Sequence, residues 1–402
     1  MKKIKMGIVV VFCLMLFGGS LATLLLPRKE YSVVENRELA QKPAFTKKDF
    51  LDGSYQSQYE TYLSDQLCFR DQWVDLAVNL ELFLGKKDIN GVYLGKEGYL
   101  LEKNEKTEFD DGQVQENIES LSTFLNDAVE VYGENHVSCI MIPSKAEVMT
   151  NRLPSFATPL CQDAVLVSLQ QELSAPEILL DVCEELKKHQ EEYIYYRTDH
   201  HWTTLGAYYA YAKWAEETGQ ASAFALEHYR REEVFNDFYG TTYNKVHVKV
   251  PMDCVELFHN SGEKGISVTF DDKEKSDTMY FYKEASKGFN RYNVFFSKNT
   301  FQVEVNTKAK TGKTLLVIKD SFANCFVPFL IEDYERIIMI DYRYGKTPIG
   351  SIMSQYEDIT DVLVMFNKEK FMQNTKLGKL AETGTDEKEE TMEEFHMEDL
   401  EE

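Results

Sequence analysis

An aspartate, a histidine and a serine stand in this chain where acyl-transfer chemistry would need them. Arg197-Thr198-Asp199-His200-His201-Trp202 follows the apolar run Tyr193-Ile194-Tyr195-Tyr196, and Lys319-Asp320-Ser321-Phe322 follows Thr314-Leu315-Leu316-Val317-Ile318. A serine hydroxyl is a weak nucleophile near neutral pH and needs a base within hydrogen-bond reach. His201 is the candidate base, and Asp199 the candidate for fixing its tautomer and stabilising the imidazolium. Two residues apart in an extended or turning segment, both side chains can face one way, with His200 facing elsewhere. Other readings stand beside this one. Asp320-Ser321 before an apolar stretch is the usual pattern of an N-cap. Asp199, His200 and His201 could ligate a metal, although His189 and His228 lack supporting spacing. Trp202 fits a core position or a stacking platform, and Lys145 and Arg343 fit solvated or salt-bridged loop positions.

The elements that would position these residues follow from hydrophobic periodicity. Short apolar runs at 137–142, 193–196, 314–318, 336–340 and 361–366 read as buried strands, interleaved with helices predicted over 112–132, 162–172, 177–190, about 204–217, from 321, and 348–356. Thr203 or Thr204 would cap the fourth helix and Gly219 would stop it. This alternation predicts an α/β fold with a doubly wound, mostly parallel five-stranded sheet, whose ligand crevice lies at the carboxyl ends of the strands. Lys145, Asp199, His201, Ser321, Arg343 and Asn367 fall at those ends. Backbone N–H groups after Ser321, with the Asn367 amide, are candidate oxyanion donors. Residues 221–312 interrupt the rhythm and read as a Tyr-, Phe-, Asn- and Gly-rich insertion with a few strands. Residues 47–84 read as helical, with apolar side chains at three- and four-residue steps.

The ends of the chain differ from its middle. Lys2, Lys3 and Lys5 precede an apolar run from Met6 to Leu26, long enough to span a bilayer, with the lysines favouring an inside N-terminus. The segment 1–29 is therefore a signal anchor, or a signal peptide cleaved after Ala22, and either way the body is exported to the extracytoplasmic side. Of the net charge of −23, residues 381–402 contribute eleven acids against one lysine, so 378–402 is expected to be a disordered acidic tail. No basic groove or phosphate loop is present, which excludes nucleic acid and gives nucleotide chemistry no support. Seven cysteines are scattered without a CxxC, and Cys161 and Cys183 are the one pair close enough to suspect of bonding.

Several motifs together resemble the DHHW protein family of bacteria, named for the tetrad seen here at Asp199-His200-His201-Trp202. They are Glu35-Asn36-Arg37-Glu38-Leu39-Ala40, Phe69-Arg70-Asp71, Tyr93-Leu94-Gly95-Lys96-Glu97-Gly98-Tyr99-Leu100, Phe238-Tyr239-Gly240-Thr241 and Lys319-Asp320-Ser321-Phe322-Ala323-Asn324. The resemblance covers most of 30–377 and extends to the SGNH hydrolase-like alginate O-acetylation proteins. It implies a flavodoxin-like, SGNH-like fold, circularly permuted because Asp and His precede Ser. It further implies Ser321 as nucleophile, His201 as base and Asp199 as orienting acid, with Gly345 and Asn367 at the second- and third-block positions. Lys319 stands where the signature has glycine, and its bulk would alter the entry to the nucleophile. The activity implied is O-acylation or ester hydrolysis on a cell-surface or exported polysaccharide, with no cofactor and with a membrane-bound O-acyltransferase as partner. A noncatalytic glycan-binding protein with a decayed site is the alternative.

Overall fold

The computed structural model describes residues 2–32 and 37–382. Glu35 and Asn36 of the first motif and residues 383–402 of the acidic tail lie outside the described residues. Two compact units divide the chain, one of Met1–Val92 with Thr241–Val250, the other of Tyr93–Gly240 with Pro251–Glu402.

The second unit is built on an eight-stranded sheet. Its strands are β1 Val137–Ile142, β2 Leu179–Leu180, β3 Ser267–Phe270, β4 Glu274–Ser276, β5 Gln302–Asn306, β6 Thr314–Lys319, β7 Arg336–Ile340 and β8 Asp361–Asn367. They lie in the order β4-β3-β5-β7-β6-β8-β1-β2. The five from β7 to β2 run parallel, while β5, β3 and β4 add an antiparallel edge. The fold is thus mixed α/β with a large, mostly parallel sheet. Strands β1, β6 and β8 are buried at every position because both faces are covered. Ile140, Ile142, Leu315, Val317, Leu363 and Met365 pack into one core layer. Cys139, Met141, Leu316, Ile318, Val364 and Phe366 pack into the other. Helix Thr204–Thr218 supplies Ala207, Ala210, Tyr211 and Trp214 to the first layer. Helix Asp111–Tyr132 supplies Ile118, Leu121, Phe124 and Leu125 to the second.

Three expectations need correction. Tyr193–Tyr196 is not a strand of the sheet; the fifth parallel strand is Leu179–Leu180, inside the stretch expected to be helical, where only Cys183–Lys188 is an α-helix. Tyr195 instead pairs with Trp202 in one isolated antiparallel bridge, so the apolar run doubles back on itself. Buried tyrosines fill the core here as well as a strand would, which is why periodicity alone misplaced the run. After Ser321 there is no α-helix but two short 3-10 turns, Ser321–Cys325 and Val327–Phe329, the second carrying Pro328. The packed body also runs past 377: Leu377 and Leu380, on a 3-10 turn, are buried.

The insertion supplies β3, β4 and β5 and an antiparallel pair, Arg230–Phe238 with Asp253–His259. The first unit begins with helix Lys2–Leu25, which holds a 21-residue stretch, Lys5–Leu25, long and apolar enough to cross a membrane. Helices Lys47–Leu51, Ser54–Asp65 and Arg70–Phe83 follow in the region expected to be helical.

Candidate active site

Strands β6, β8 and β1 are neighbours, so their carboxyl ends lie side by side. Lys319 of β6 is in register with Met365 of β8, and Asn367 of β8 with Ile142 of β1. The next residues of β6 and β1 are Asp320-Ser321 and Pro143-Ser144-Lys145. Asp320 is a buried bracket between the ends of β6 and β8: its carboxylate accepts the Phe322 N–H at 2.8 Å and the Asn367 N–H at 2.7 Å. It is therefore an N-cap of the turn that carries Ser321. Burial raises its pKa above the usual carboxylate value of 3.8.

The Asp-His-His-Trp segment is the tip of a tight reversal. The Tyr196 N–H donates to the His201 carbonyl at 3.2 Å, and the Thr203 N–H to the Ile194 carbonyl at 2.9 Å. Thr203 then caps helix Thr204–Thr218, which ends at Gly219 with φ 63°. This geometry holds Asp199 and His201 on one side of the tip. His201 Nδ1 lies 2.5 Å from Asp199 Oδ1, and the His201 N–H donates to the same oxygen at 3.0 Å. On its other edge, His201 Nε2 lies 2.8 Å from Ser321 Oγ. Asp199, His201 and Ser321 are all buried, so water competes little for these hydrogen bonds. An aspartate on Nδ1 selects the tautomer whose Nε2 can accept the serine proton.

Four buried residues fix the tip. The Lys145 Nζ donates to the carbonyls of Tyr196 at 2.8 Å, Arg197 at 3.2 Å and Asp199 at 2.7 Å. Lys145 is thus a clamp on the loop and not a solvated lysine. From the insertion, Asp253 accepts the N–H groups of Arg197 and Thr198, both at 2.7 Å, and the hydroxyls of Thr198 and Tyr193, both at 2.5 Å. Burial nevertheless raises its pKa above the ordinary value. Gly240 donates its N–H to Thr198 Oγ1 at 3.0 Å. The ring of Tyr292 stacks on His201 at 3.9 Å between centroids and 10° between planes, and its hydroxyl donates to the Ser321 carbonyl at 2.9 Å. Neither Asp253 nor Tyr292 was picked out from sequence. For Asp253 the available signal was a lone acid opening an alternating apolar strand; for Tyr292 there was none.

The remaining candidates are placed as follows. Trp202 is fully buried and gives its indole N–H to the Phe322 carbonyl at 3.0 Å, so it pins the turn that carries Ser321 and offers no face to a sugar. Asn367 caps helix Lys368–Gln373 and donates one side-chain N–H to the Ile142 carbonyl at 3.3 Å. Arg343 is held by Asp341, at 2.9 and 2.6 Å. Gly345 is set against the Phe301 ring, where a Cβ would come within 2.1 Å. Lys319 is buried and donates to Asn324 at 2.7 Å, with Asp341 3.8 Å away; burial lowers its pKa to about 8 despite that carboxylate. The His200 ring lies against His201, 3.9 Å between centroids and tilted by 34°, and faces a narrow crevice shared with Lys145, Phe322, Asn367 and Glu369. Burial, then the neighbouring His201, lowers its pKa to about 3. Ligand atoms of Asp199, His200 and His201 lie within 4.8 Å of one another. Both His201 ring nitrogens already have partners, so binding a metal through either would break the Asp199 or the Ser321 contact. Cys161 and Cys183 are free thiols, the first exposed beside Asp163 and the second buried.

Residues 172–340 match the sequence model of the DHHW protein family, described as DHHW protein, so the resemblance seen in the motifs is borne out. No curated protein matches the chain. Among solved structures, a DHHW family protein from Eubacterium siraeum is similar at TM-score 0.60 and 24% identity, over 73% of this chain and 95% of that one. Bacillus cereus PatB1 with a sulfonyl adduct is similar at TM-score 0.57 and 19% identity, over 72% of this chain and 98% of that one. The O-acetyltransferase domain of Pseudomonas putida AlgJ aligns at TM-score 0.41 and 16% identity, over 71% of this chain and 93% of that one.

Proposed function

We propose that this chain is an exported, membrane-attached serine O-acyltransferase or esterase that modifies a cell-surface or exported polysaccharide. The observation that carries the reading is the unbroken run of hydrogen bonds from Asp199 through His201 to Ser321. Ser321 Oγ attacks the carbonyl of an acyl donor ester as its proton passes to His201 Nε2, and Asp199 stabilises the imidazolium. The tetrahedral adduct collapses, the acyl–oxygen bond to the donor breaks, and the leaving alcohol takes the proton from His201. The acyl group is then an ester on Ser321. Water or a sugar hydroxyl attacks that ester, giving its proton to His201; Ser321 Oγ leaves and recovers it. Water as acceptor makes an esterase, and a sugar makes a transferase. The Asn367 amide, with one N–H on Ile142, has a second N–H for the oxyanion. No step calls on a metal or organic cofactor.

Helix Lys2–Leu25 would hold the site outside the membrane, where a membrane-bound O-acyltransferase protein could deliver acetyl groups. The chain order, with Asp199 and His201 before Ser321, makes the arrangement a circular permutation of the SGNH order. The noncatalytic alternative rested on Lys319, but its amine is directed to Asn324 and the hydrogen-bonded series beside it is intact.

PatB1, whose fold is similar, carries a sulfonyl adduct in one structure, so serine-directed reagents suit the test. The detergent-solubilised chain is treated with a sulfonyl fluoride or fluorophosphonate and digested for mass spectrometry. One adduct on Ser321, absent from Ser321→Ala and strongly reduced in His201→Ala, is expected, together with turnover of an acetyl ester. Labelling that persists in Ser321→Ala, or a folded wild type that neither labels nor turns over ester, overturns the reading.

A further inference from the structure

Helix Arg70–Phe83 turns its apolar side outward. Phe69, Trp73, Leu76, Leu80 and Phe83 recur at steps of four and three, which places them in one stripe along a helix. Their exposures are 61, 44, 58, 55 and 86%. Val78, the buried residue of this helix, lies on roughly the opposite side at 3.6 residues per turn. Scattered apolar residues on a surface need no explanation, but five in one row, headed by two aromatics, do.

The start of the stripe is tied to the membrane-length helix. The Cys68 N–H donates to Thr23 Oγ1 at 3.1 Å and its thiol reaches the Gly19 carbonyl at 3.5 Å; both partners lie in the last two turns of Lys2–Leu25. Just past the end of Lys2–Leu25 the chain is fastened to the same segment. The Lys29 N–H donates to Gln66 Oε1 at 3.0 Å, Gln66 Nε2 donates back to the Lys29 carbonyl at 2.8 Å, and Lys29 Nζ pairs with Asp71 at 2.9 Å.

From this tether we infer that the stripe from Phe69 to Phe83 lies in the headgroup and upper acyl region of the same bilayer that Lys2–Leu25 crosses. An amphipathic helix gains by burying its apolar face there, and tryptophan and phenylalanine favour that depth. Exposed Phe45, Phe50 and Leu51, in the same unit, add apolar surface, and Arg28, Lys47 and Lys48 add positive charge for anionic lipid. A stripe with three- and four-residue steps also suits a second helix from another copy. The tether favours lipid, because it holds Phe69 one residue from contacts to the membrane helix whether or not a second chain is present. The inference rests on Lys2–Leu25 crossing a membrane and is independent of the chemistry at Ser321.

Tryptophan fluorescence tests it, since Trp202 and Trp214 are fully buried and Trp73 is the remaining tryptophan. The full chain is reconstituted in phosphatidylcholine–phosphatidylglycerol vesicles with lipids brominated high on the acyl chains. The bromines should quench a component of emission that Trp73→Phe lacks. The double variant Leu76→Asp, Leu80→Asp, with unchanged near-UV circular dichroism, should lose most of that quenching while still resisting carbonate extraction. A carbonate-resistant chain whose Trp73 is not quenched, including one whose stripe crosslinks to a second copy, overturns the inference. A chain that carbonate releases overturns its membrane premise, and neither result bears on labelling of Ser321.

Discussion

Gly240 stands against Asp199 so closely that a Cβ on the glycine would lie 2.2 Å from the aspartate Cβ and 2.4 Å from its Oδ2. The glycine of the Phe238-Tyr239-Gly240-Thr241 motif, more than 35 residues beyond the Asp-His-His-Trp tetrad, is thereby explained by sterics. The residue that backs the acid has no side chain because there is no room for one. Gly240→Ala should push the carboxylate away from His201. Overpacking of this kind costs about 1–3 kcal/mol, and a misplaced catalytic group about 100-fold in rate. Thermal unfolding and the rate of Ser321 labelling check both effects; a variant that labels at the wild-type rate would show that the contact is slack.

Asp199→Asn keeps the shape of the side chain but can give His201 a donor where it needs an acceptor, favouring the wrong tautomer. Ester turnover should fall by about 10⁴-fold. Steady-state assays on an acetyl ester read this directly, and a loss of tenfold or less would remove Asp199 from the proposed triad.

Lys145→Met should loosen the Asp-His-His-Trp tip by removing the amine that donates to the carbonyls of Tyr196, Arg197 and Asp199, although the Arg197 carbonyl keeps the Leu100 N–H at 2.8 Å. A hydrogen bond to a charged group contributes about 1.5–3 kcal/mol, so the loss of the two buried ones should lower stability by about 3 kcal/mol or more in urea unfolding. Wild-type stability in that variant would mean that the three bonds are readily replaced by water.

His200 gives a pH signature. Its ordinary pKa of 6.5 falls to about 3 in the folded chain, through burial and then the neighbouring His201. Between those values the unfolded chain binds more protons than the folded one. The stability contribution is therefore complete above pH 6.5 and is lost as the pH falls toward 3. His200→Gln should flatten the fall in melting temperature between pH 6.5 and 4. An equally steep acid limb in the variant would assign the effect to other groups.

Much of the scaffold was legible in the chain. The runs at 137–142, 314–318, 336–340 and 361–366 became neighbouring parallel strands because continuous apolar runs can be covered on both faces. A cap at Thr203 or Thr204, which the structure places at Thr203, and the stop at Gly219 were also legible, since backbone hydrogen bonding sets both locally. The outward stripe from Trp73 to Phe83 was visible as periodicity. Its exposure was not, because period tells which residues share a face and says nothing of what covers that face.

Sequence by itself determined which residues could do the chemistry and the strand-end positions of Ser321 and Asn367. Only the tertiary structure decided that Asp199, His201 and Ser321 meet, because the meeting depends on a reversal at 195–202 in place of the expected strand. It also decided the parts played by Lys145, Trp202, Asp253, Gly240 and Tyr292. Each acts through a hydrogen bond or a close contact with residues 29 to 60 positions away in sequence, or 91 for the Tyr292 ring on His201 and 120 for Trp202. Such contacts are set by how the sheet, the loop and the insertion pack, and no local pattern of residue types encodes that packing.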